Sequence, residues 1–417
     1  MEPGRRVVIT GMGAITPVGT GLDRFWESLV AGKSGVGRIT HFDPSALDTR
    51  IGAEVKDFDP LEYIDKREVR RMDLFTQYGV AATSMALEDA GIKTPFENPH
   101  RSGVIFGTGI GGISTCSDQM VVLLNKGPSR VSPLFIPMMI TNMAAGQIAI
   151  MTGAKGPNTT VTTACAASAN ALGEAFRLIR HGFADLIISG GSEATFVPLA
   201  VAGFCSMKAL STRNDDPERA SRPFDRDRDG FVMGEGAGVM ILEELEQARA
   251  RGARIWAEII GYGCTADAYH VTAPAPGGEG GRWSMIMAMQ DAKIGPGDVD
   301  YINAHGTSTP ANDKSETQAI KDALGEERAH QVPVSSTKSM TGHLLGASGV
   351  VELVATILGM HKGIIHSTAN YDYPDPECDL DYVPEPRPAD VRVALSNSFG
   401  FGGQNATLVV RRGDLVG

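Results

Sequence analysis

Cysteine is scarce, with five residues in 417, at Cys116, Cys165, Cys205, Cys264 and Cys378. The number is odd, no pair is spaced CxxC, and none stands near a second Cys or a His at zinc-finger spacing. That excludes a disulfide framework and a structural zinc site. Excess positive charge is also lacking. Lys and Arg total 38 against 49 Asp and Glu, a formal charge of −11. A field of that sign disfavours nucleic acid and anionic membranes as main partners. No long apolar run exists. The greasiest helical stretch, Val350 to Met360, is shorter than the about 20 residues that cross a bilayer, and it contains Glu352. Met1-Glu2-Pro3-Gly4-Arg5-Arg6 leads into only Val7-Val8-Ile9-Thr10, too short for a signal peptide. Compositional bias is missing, since 42% hydrophobic and 21% charged residues are ordinary globular usage. The expectation is a cytoplasmic protein in a reducing compartment.

What is present is length and glycine. At about 150 residues per domain the chain holds two to three domains' worth of sequence, enough for a large core without staples. Its 50 glycines exceed the usual share of about 7% and follow no period, which points to tight turns and close backbone approaches. Short β-branched runs ending in glycine predict strands over 6–11, 103–107, 185–190, 238–242, 255–261, 301–304, 332–335 and 391–396. Helical periodicity covers 75–90, 167–180, 283–292, 315–324 and 350–360. Alternation of the two argues for α/β layers. The pattern runs twice, dividing the chain into residues 1–254 and 255–417. The polar stretches 211–229 and 372–388 read as ordered surface loops.

Gly107-Thr108-Gly109-Ile110-Gly111-Gly112 matches GxGxxG after a strand. A dinucleotide site also needs an acidic residue about 20 positions on, closing a second strand. Leu123-Leu124-Asn125-Lys126-Gly127-Pro128 offers neither. Gly11-Met12-Gly13 is followed by Thr16 and Pro17. Both glycine runs read as close-packed turns.

Chemistry concentrates in four places. In Val161-Thr162-Thr163-Ala164-Cys165-Ala166-Ala167, Thr and Val give way to small residues that open a helix. Cys165 therefore stands at a helix N-terminus, where the partial positive charge favours thiolate. A lone Cys among small residues is equally what a core position looks like. His305, in Asn303-Ala304-His305-Gly306-Thr307, and His343, in Lys338-Ser339-Met340-Thr341-Gly342-His343, both follow strands. Strand ends opening into Gly/Ser/Thr loops are where α/β folds place reactive groups. Two histidines with Lys338 and a helix-start Cys make a nucleophile with proton donors in reach. Glu352 lies in a helix apolar nearly all round, so it needs a buried partner, and Lys338 is the candidate. Ser396-Asn397-Ser398-Phe399-Gly400-Phe401-Gly402-Gly403 alternates glycine with aromatics, a flexible backbone whose amides can face an oxyanion.

Together, Thr163-Ala164-Cys165-Ala166, Asn303 to Thr309, Lys338 to His343 and Asn397 to Gly403 resemble the β-ketoacyl-acyl carrier protein synthases, in order and over the whole chain. Within them the sequence is most similar to the type II elongating branch, as at Asp57-Phe58, Arg70-Arg71-Met72-Asp73 and Gln77-Tyr78-Gly79. The resemblance implies a thiolase-like five-layer αβαβα sandwich of two similar halves, a homodimer, and no metal or redox cofactor. It implies that Cys165 accepts an acyl chain from acyl carrier protein while the Cys165 and Phe401 amides form the oxyanion hole. His305 and His343 would hold the malonyl thioester as CO2 leaves, with Lys338 and its partner Glu352 organising them. Phe401 would gate the acyl pocket, Ile110 and Phe204 line it, Phe399 contribute to substrate binding, and Thr307 and Thr309 bind the pantetheine arm. Lys66, Arg67, Arg70, Arg71, Arg130 and Lys208 would dock the acidic carrier, although Ser129 stands where relatives often carry a second basic residue. A type II polyketide ketosynthase is the nearest alternative. An inert partner subunit and a thiolase are further ones, the latter opposed by the want of a second reactive Cys, since Cys378 reads as part of a surface loop.

Overall fold

Ten strands form the principal path of one sheet. The first half of the chain supplies β1 (Val7–Thr16), β2 (Ser102–Gly107), β3 (Asn158–Val161), β4 (Leu186–Glu193) and β5 (Gly236–Glu244). The second supplies β6 (Ala257–Ala266), β7 (Tyr301–Asn303), β8 (Val334–Ser335), β9 (Val393–Gly400) and β10 (Gln404–Arg412). Their lateral order is β8-β7-β9-β10-β6-β1-β5-β4-β2-β3. Counted outward from the middle, each set runs first, fifth, fourth, second, third, with the same strand senses. β1/β5/β4 and β6/β10/β9 pair antiparallel, and β4/β2/β3 and β9/β7/β8 pair parallel. The sets meet where Val7, Val8 and Ile9 pair with Ile259, Glu258 and Ala257. The computed structural model describes residues 4–417, so the Met1–Pro3 start of the leader reading lies outside the described residues.

Five helices build the layers: α1 (Leu74–Asp89), α2 (Ala167–Arg180), α3 (Glu279–Ala292), α4 (Pro310–Leu324) and α5 (Ser348–Lys362). α1 covers the outer face of β1 and β5, and α3, flanked by α4, covers the outer face of β6 and β10. α2 and α5 pack on each other between the sheet halves. α5 is buried from Ser348 to Met360, as a helix apolar on every side must be. Among the described residues no helix is long and apolar enough to cross a membrane.

Glycine pairs in the two first strands set the outer layers. A Cβ at Gly11 or Gly13 would stand 2.2 or 2.3 Å from the carbonyl oxygens of Ala86 and Ala82 on α1. A Cβ at Gly261 or Gly263 would stand 2.3 or 2.0 Å from those of Ala288 and Ser284 on α3. The residue between each pair, Met12 or Tyr262, points inward to the middle-layer core. Gly11-Met12-Gly13 thus has the close backbone packing expected of it, but inside strand β1 and not in a turn.

Three readings change. β3 and β10 are not among the expected strands: β3 has only four residues, while β10 opens with Gln404-Asn405 before its apolar run Leu408-Val409-Val410. Segments 211–229 and 372–388 are irregular and partly exposed, as expected of surface loops, but they also bury a charged network against each other. Arg222 meets Asp225 at 2.9 Å, Arg228 meets Asp375 at 2.6 Å, and the Asp225 carboxylate accepts from the amides of Asp372 and Tyr373. Cys378 is fully buried with Tyr382, which stacks on Phe224 at 3.9 Å.

Gly13→Ala and Gly263→Ala should each destabilise the protein by about 1–3 kcal/mol, because helix backbone rather than a movable side chain fills the space. Calorimetric melting of the two variants checks this, and an unchanged melting temperature would contradict the close approach.

Candidate active site

The strand ends on the middle-layer side deliver the reactive groups. After β3 the chain turns through Ala164 with a left-handed φ of 48°, unusual for a residue with a Cβ. Residues Ala164–Ala166 then make a tight turn into α2. Cys165 is only 7% exposed. Burial pushes its thiol up to about 11, against the pull of the Lys338 ammonium and of hydrogen bonds from the Phe401 amide and its own. The expected resting thiolate is therefore corrected: the helix end is present, but loss of water outweighs it.

His305 follows β7. Two carboxylates of α4 hold its turn. Glu316 accepts from the amides of His305 (2.8 Å) and Gly306 (2.7 Å), and Asp313 from that of Thr307 (3.1 Å). The His305 ring stands 5.4 Å from that of His343, edge to face. Burial and the Lys338 charge hold both imidazoles well below their ordinary pKa, hence neutral. The Leu345 amide donates to His343 Nδ1 at 3.2 Å, and the Ser348 hydroxyl lies 2.9 Å from the same nitrogen. An amide N–H can only donate, so Nδ1 carries a lone pair and the ring hydrogen sits on Nε2.

Lys338 is 1% exposed and forms a salt bridge with Glu352 of α5, itself buried. Burial raises the Glu352 carboxyl to about 7 despite that partner. The Gly400–Gly403 turn joins β9 to β10 with Gly402 and Gly403 at φ 85° and 73°. It is pinned by the Gly402 amide on the Val271 carbonyl (2.8 Å) and the Asp267 amide on the Gly403 carbonyl (2.8 Å). A Cβ at Gly403 would meet that of Asp267 at 2.7 Å, which excludes a larger residue there.

One mostly apolar cavity of about 510 Å³ receives Cys165, His305, His343, Phe399 and Phe401. Ile110 and Phe204 line it as well, as do Thr307 and Thr309, whose hydroxyls lie 2.9 Å apart. Lys338 and Glu352 stand behind the wall. Of the six docking candidates only Lys208 borders the cavity, exposed and paired with Asp48 at 2.8 Å. Lys66, Arg67, Arg70 and Arg71 lie exposed on and after the short helix Lys66–Val69, and Arg130 is exposed in the turn Pro128–Arg130; none of them borders the cavity.

Sequence reasoning missed the buried carboxylates Asp313, Glu316 and Glu193. The first two look like an ordinary polar helix face. Glu193 ends an apolar strand, which is a signal, and its carboxylate accepts from the amides of Gly109 and Ile110. It occupies the donors that a GxGxxG loop would offer to phosphate.

The model of the beta-ketoacyl synthase N-terminal domain matches residues 4–248 and that of the C-terminal domain matches 256–372. The chain belongs to the beta-ketoacyl synthase family. Over 409 residues, 98% of both chains, it is 56% identical to a 3-oxoacyl-[acyl-carrier-protein] synthase 2 of Synechocystis. Among solved structures it superposes on the ishigamide ketosynthase/chain length factor with a TM-score of 0.92 at 37% identity, covering 98% of this chain and 99% of that one. A type II polyketide ketosynthase bound to its acyl-carrier protein and a hexaketide gives 0.91 at 36%, with the same coverage. The fold is the thiolase-type αβαβα sandwich of these ketosynthases, its two sheets joined here by the β1/β6 seam.

A thiol held up to about 11 has few thiolates at neutral pH. Alkylation of Cys165 by iodoacetamide should keep accelerating about tenfold per pH unit from 7 to 10. Peptide-resolved mass spectrometry follows it, and a plateau below pH 9 would contradict the burial effect.

Proposed function

We propose that the protein performs decarboxylative Claisen condensation between an acyl-enzyme thioester and malonyl-acyl carrier protein, releasing CO2 and a β-ketoacyl-carrier protein in fatty acid elongation. The observation that carries this is a single apolar cavity holding one thiol and two neutral imidazoles.

The first step is thioester exchange. Cys165 sulfur, having lost its proton, attacks the acyl carbonyl, and the carrier thiolate leaves and takes up a proton. The amides of Cys165 and Phe401 serve as the oxyanion hole for the tetrahedral intermediate, a role supported by the Phe401 turn lining the same cavity as the thiol. Malonyl thioester then enters. Its carbon–carboxylate bond breaks, CO2 departs, and the electron pair delocalises onto the thioester oxygen. His343 Nε2–H and His305 stabilise that enolate. Neutral donors suffice because decarboxylation replaces deprotonation of carbon. The carbanion attacks the acyl carbonyl, the carbon–sulfur bond breaks, and Cys165 leaves as thiolate. Lys338, neutralised by Glu352, biases the potential at both imidazoles.

Phe401 forms a gate on glycine hinges, and Phe399 contributes to the substrate-binding wall of the same cavity. Ile110 and Phe204 bound the acyl tunnel, and Thr307 and Thr309 meet the pantetheine arm. The carrier docks on Lys208, at the border of the cavity, and on the exposed Arg130, Lys66, Arg67, Arg70 and Arg71. The chain divides at 254/255, a reading supported by the repeated strand order. It forms a homodimer, a reading supported by the free edge of β3 and by the exposed apolar residues Met120, Val121, Leu124, Ile136 and Ile150. A cytoplasmic, reducing compartment fits five unpaired cysteines. The polyketide reading shares the fold at 0.91, but identity is 36% there against 56% to the fatty acid relative.

Cys165→Ala should abolish acyl transfer, and Cys165→Gln should lose condensation while retaining malonyl decarboxylation. Mass spectrometry of a reconstituted reaction reads both, and acyl transfer by the Ala variant would overturn the proposal. In the same assay Ile110→Phe should shift products to shorter chains, since added volume shortens the tunnel; an unchanged distribution would remove Ile110 from its wall.

A further inference from the structure

A carboxylate that the reaction does not use stands at the junction of the cavity's two sides. Glu193, the last residue of β4, is wholly buried. Its Oε1 accepts from the Thr108 hydroxyl (3.0 Å) and the Ile110 amide (3.0 Å). Its Oε2 accepts from the amides of Gly109 (2.7 Å) and Gly346 (2.9 Å). The first three donors belong to the loop after β2, which places Ile110 on the acyl pocket. The fourth belongs to the turn Leu345–Ala347 that leads from His343 into α5. The two backbones are in contact: a Cβ on Gly346 would stand 2.3 Å from the Gly109 nitrogen.

Between His343 and Gly346 lies Leu345, whose φ is 48°. A left-handed leucine costs about 1–2 kcal/mol, so the turn keeps that shape only where its surroundings impose it. Its amide is the donor to His343 Nδ1 that leaves the ring hydrogen on Nε2. With the Gly111 amide, 3.4 Å from Oε1, five donors from two distant segments converge on one carboxylate, and a glutamine in its place would turn an N–H toward at least one of them.

We propose that Glu193 is a positioning residue that ties the acyl-pocket wall to the hydrogen bond setting the His343 tautomer. Chain-length selection and imidazole donation are then mechanically coupled through one buried acceptor. The functional half of this inference rests on the reading of His343 as a donor to the malonyl thioester.

The test uses the full-length enzyme with 15N-labelled histidine, with His343 assigned by loss of its signals in His343→Ala. In the natural protein Nδ1 should be unprotonated and Nε2 protonated. In Glu193→Gln the His343 signals should move to a mixture of tautomers. The ratio of kcat/KM for palmitoyl- over octanoyl-carrier protein should change about fivefold, the effect of one net hydrogen bond. Thr108→Val removes one donor to Glu193, and with it the hydroxyl that accepts from the Gly111 amide, and should produce both shifts at smaller size, which keeps the test available where Glu193→Gln does not fold. A folded variant with neither shift overturns the proposal. So does one that changes the ratio without the tautomer, or the tautomer without the ratio, because coupling demands both. The ring signals need no turnover, so acyl transfer by Cys165→Ala would defeat the functional reading while leaving the tautomer result to stand or fall by itself.

Discussion

Removing Cys165, His305, His343 and Lys338 from water forces each to find its stabilisation in fixed protein groups. The thiol rises and the imidazoles fall in pKa for that same reason, loss of solvation of the charged form. Lys338, equally buried, lies against the Glu352 carboxylate. Removing one partner of such a pair leaves an uncompensated buried charge, typically a loss of about 3–5 kcal/mol. The site is therefore neutral where it donates, and the one positive charge behind its wall is balanced. Dry surroundings also strengthen every hydrogen bond offered to a developing oxyanion.

The layers create that dryness. α2 and α5 occupy the middle, and the glycine pairs of β1 and β6 let α1 and α3 press onto the outer faces. Reactive residues emerge where strands stop and the loops lose their ladder partners. The amides of those loops go to carboxylates. Glu193 takes those of Gly109, Ile110 and Gly346, and Glu316 those of His305 and Gly306. A carboxylate accepts several N–H groups at once, which holds an irregular backbone without a continuing strand.

Much of the outline was legible in the letters. The predicted helices over 75–90 and 167–180 correspond to Leu74–Asp89 and Ala167–Arg180. Those over 283–292 and 315–324 begin several residues earlier, at Glu279 and Pro310, because glycines and polar first turns hide a helix start. Strand ends were short of their true length in β1 and β6, where continued pairing, not composition, extends the ladder. The charged loops around Arg222 and Asp375 looked solvated because each is polar alone; only the partner segment shows why they are buried.

Residue types and their local spacing determined by themselves a cysteine at a helix start, the two histidines after strands, and the need of Glu352 for a cation, because those are short-range consequences of chain chemistry. The tertiary structure alone decided that the thiol rests protonated, that Nε2 of His343 bears the hydrogen, and that Glu193 joins two distant loops. Each of these depends on which groups from far along the chain replace water, and one-dimensional order carries no distances of that kind.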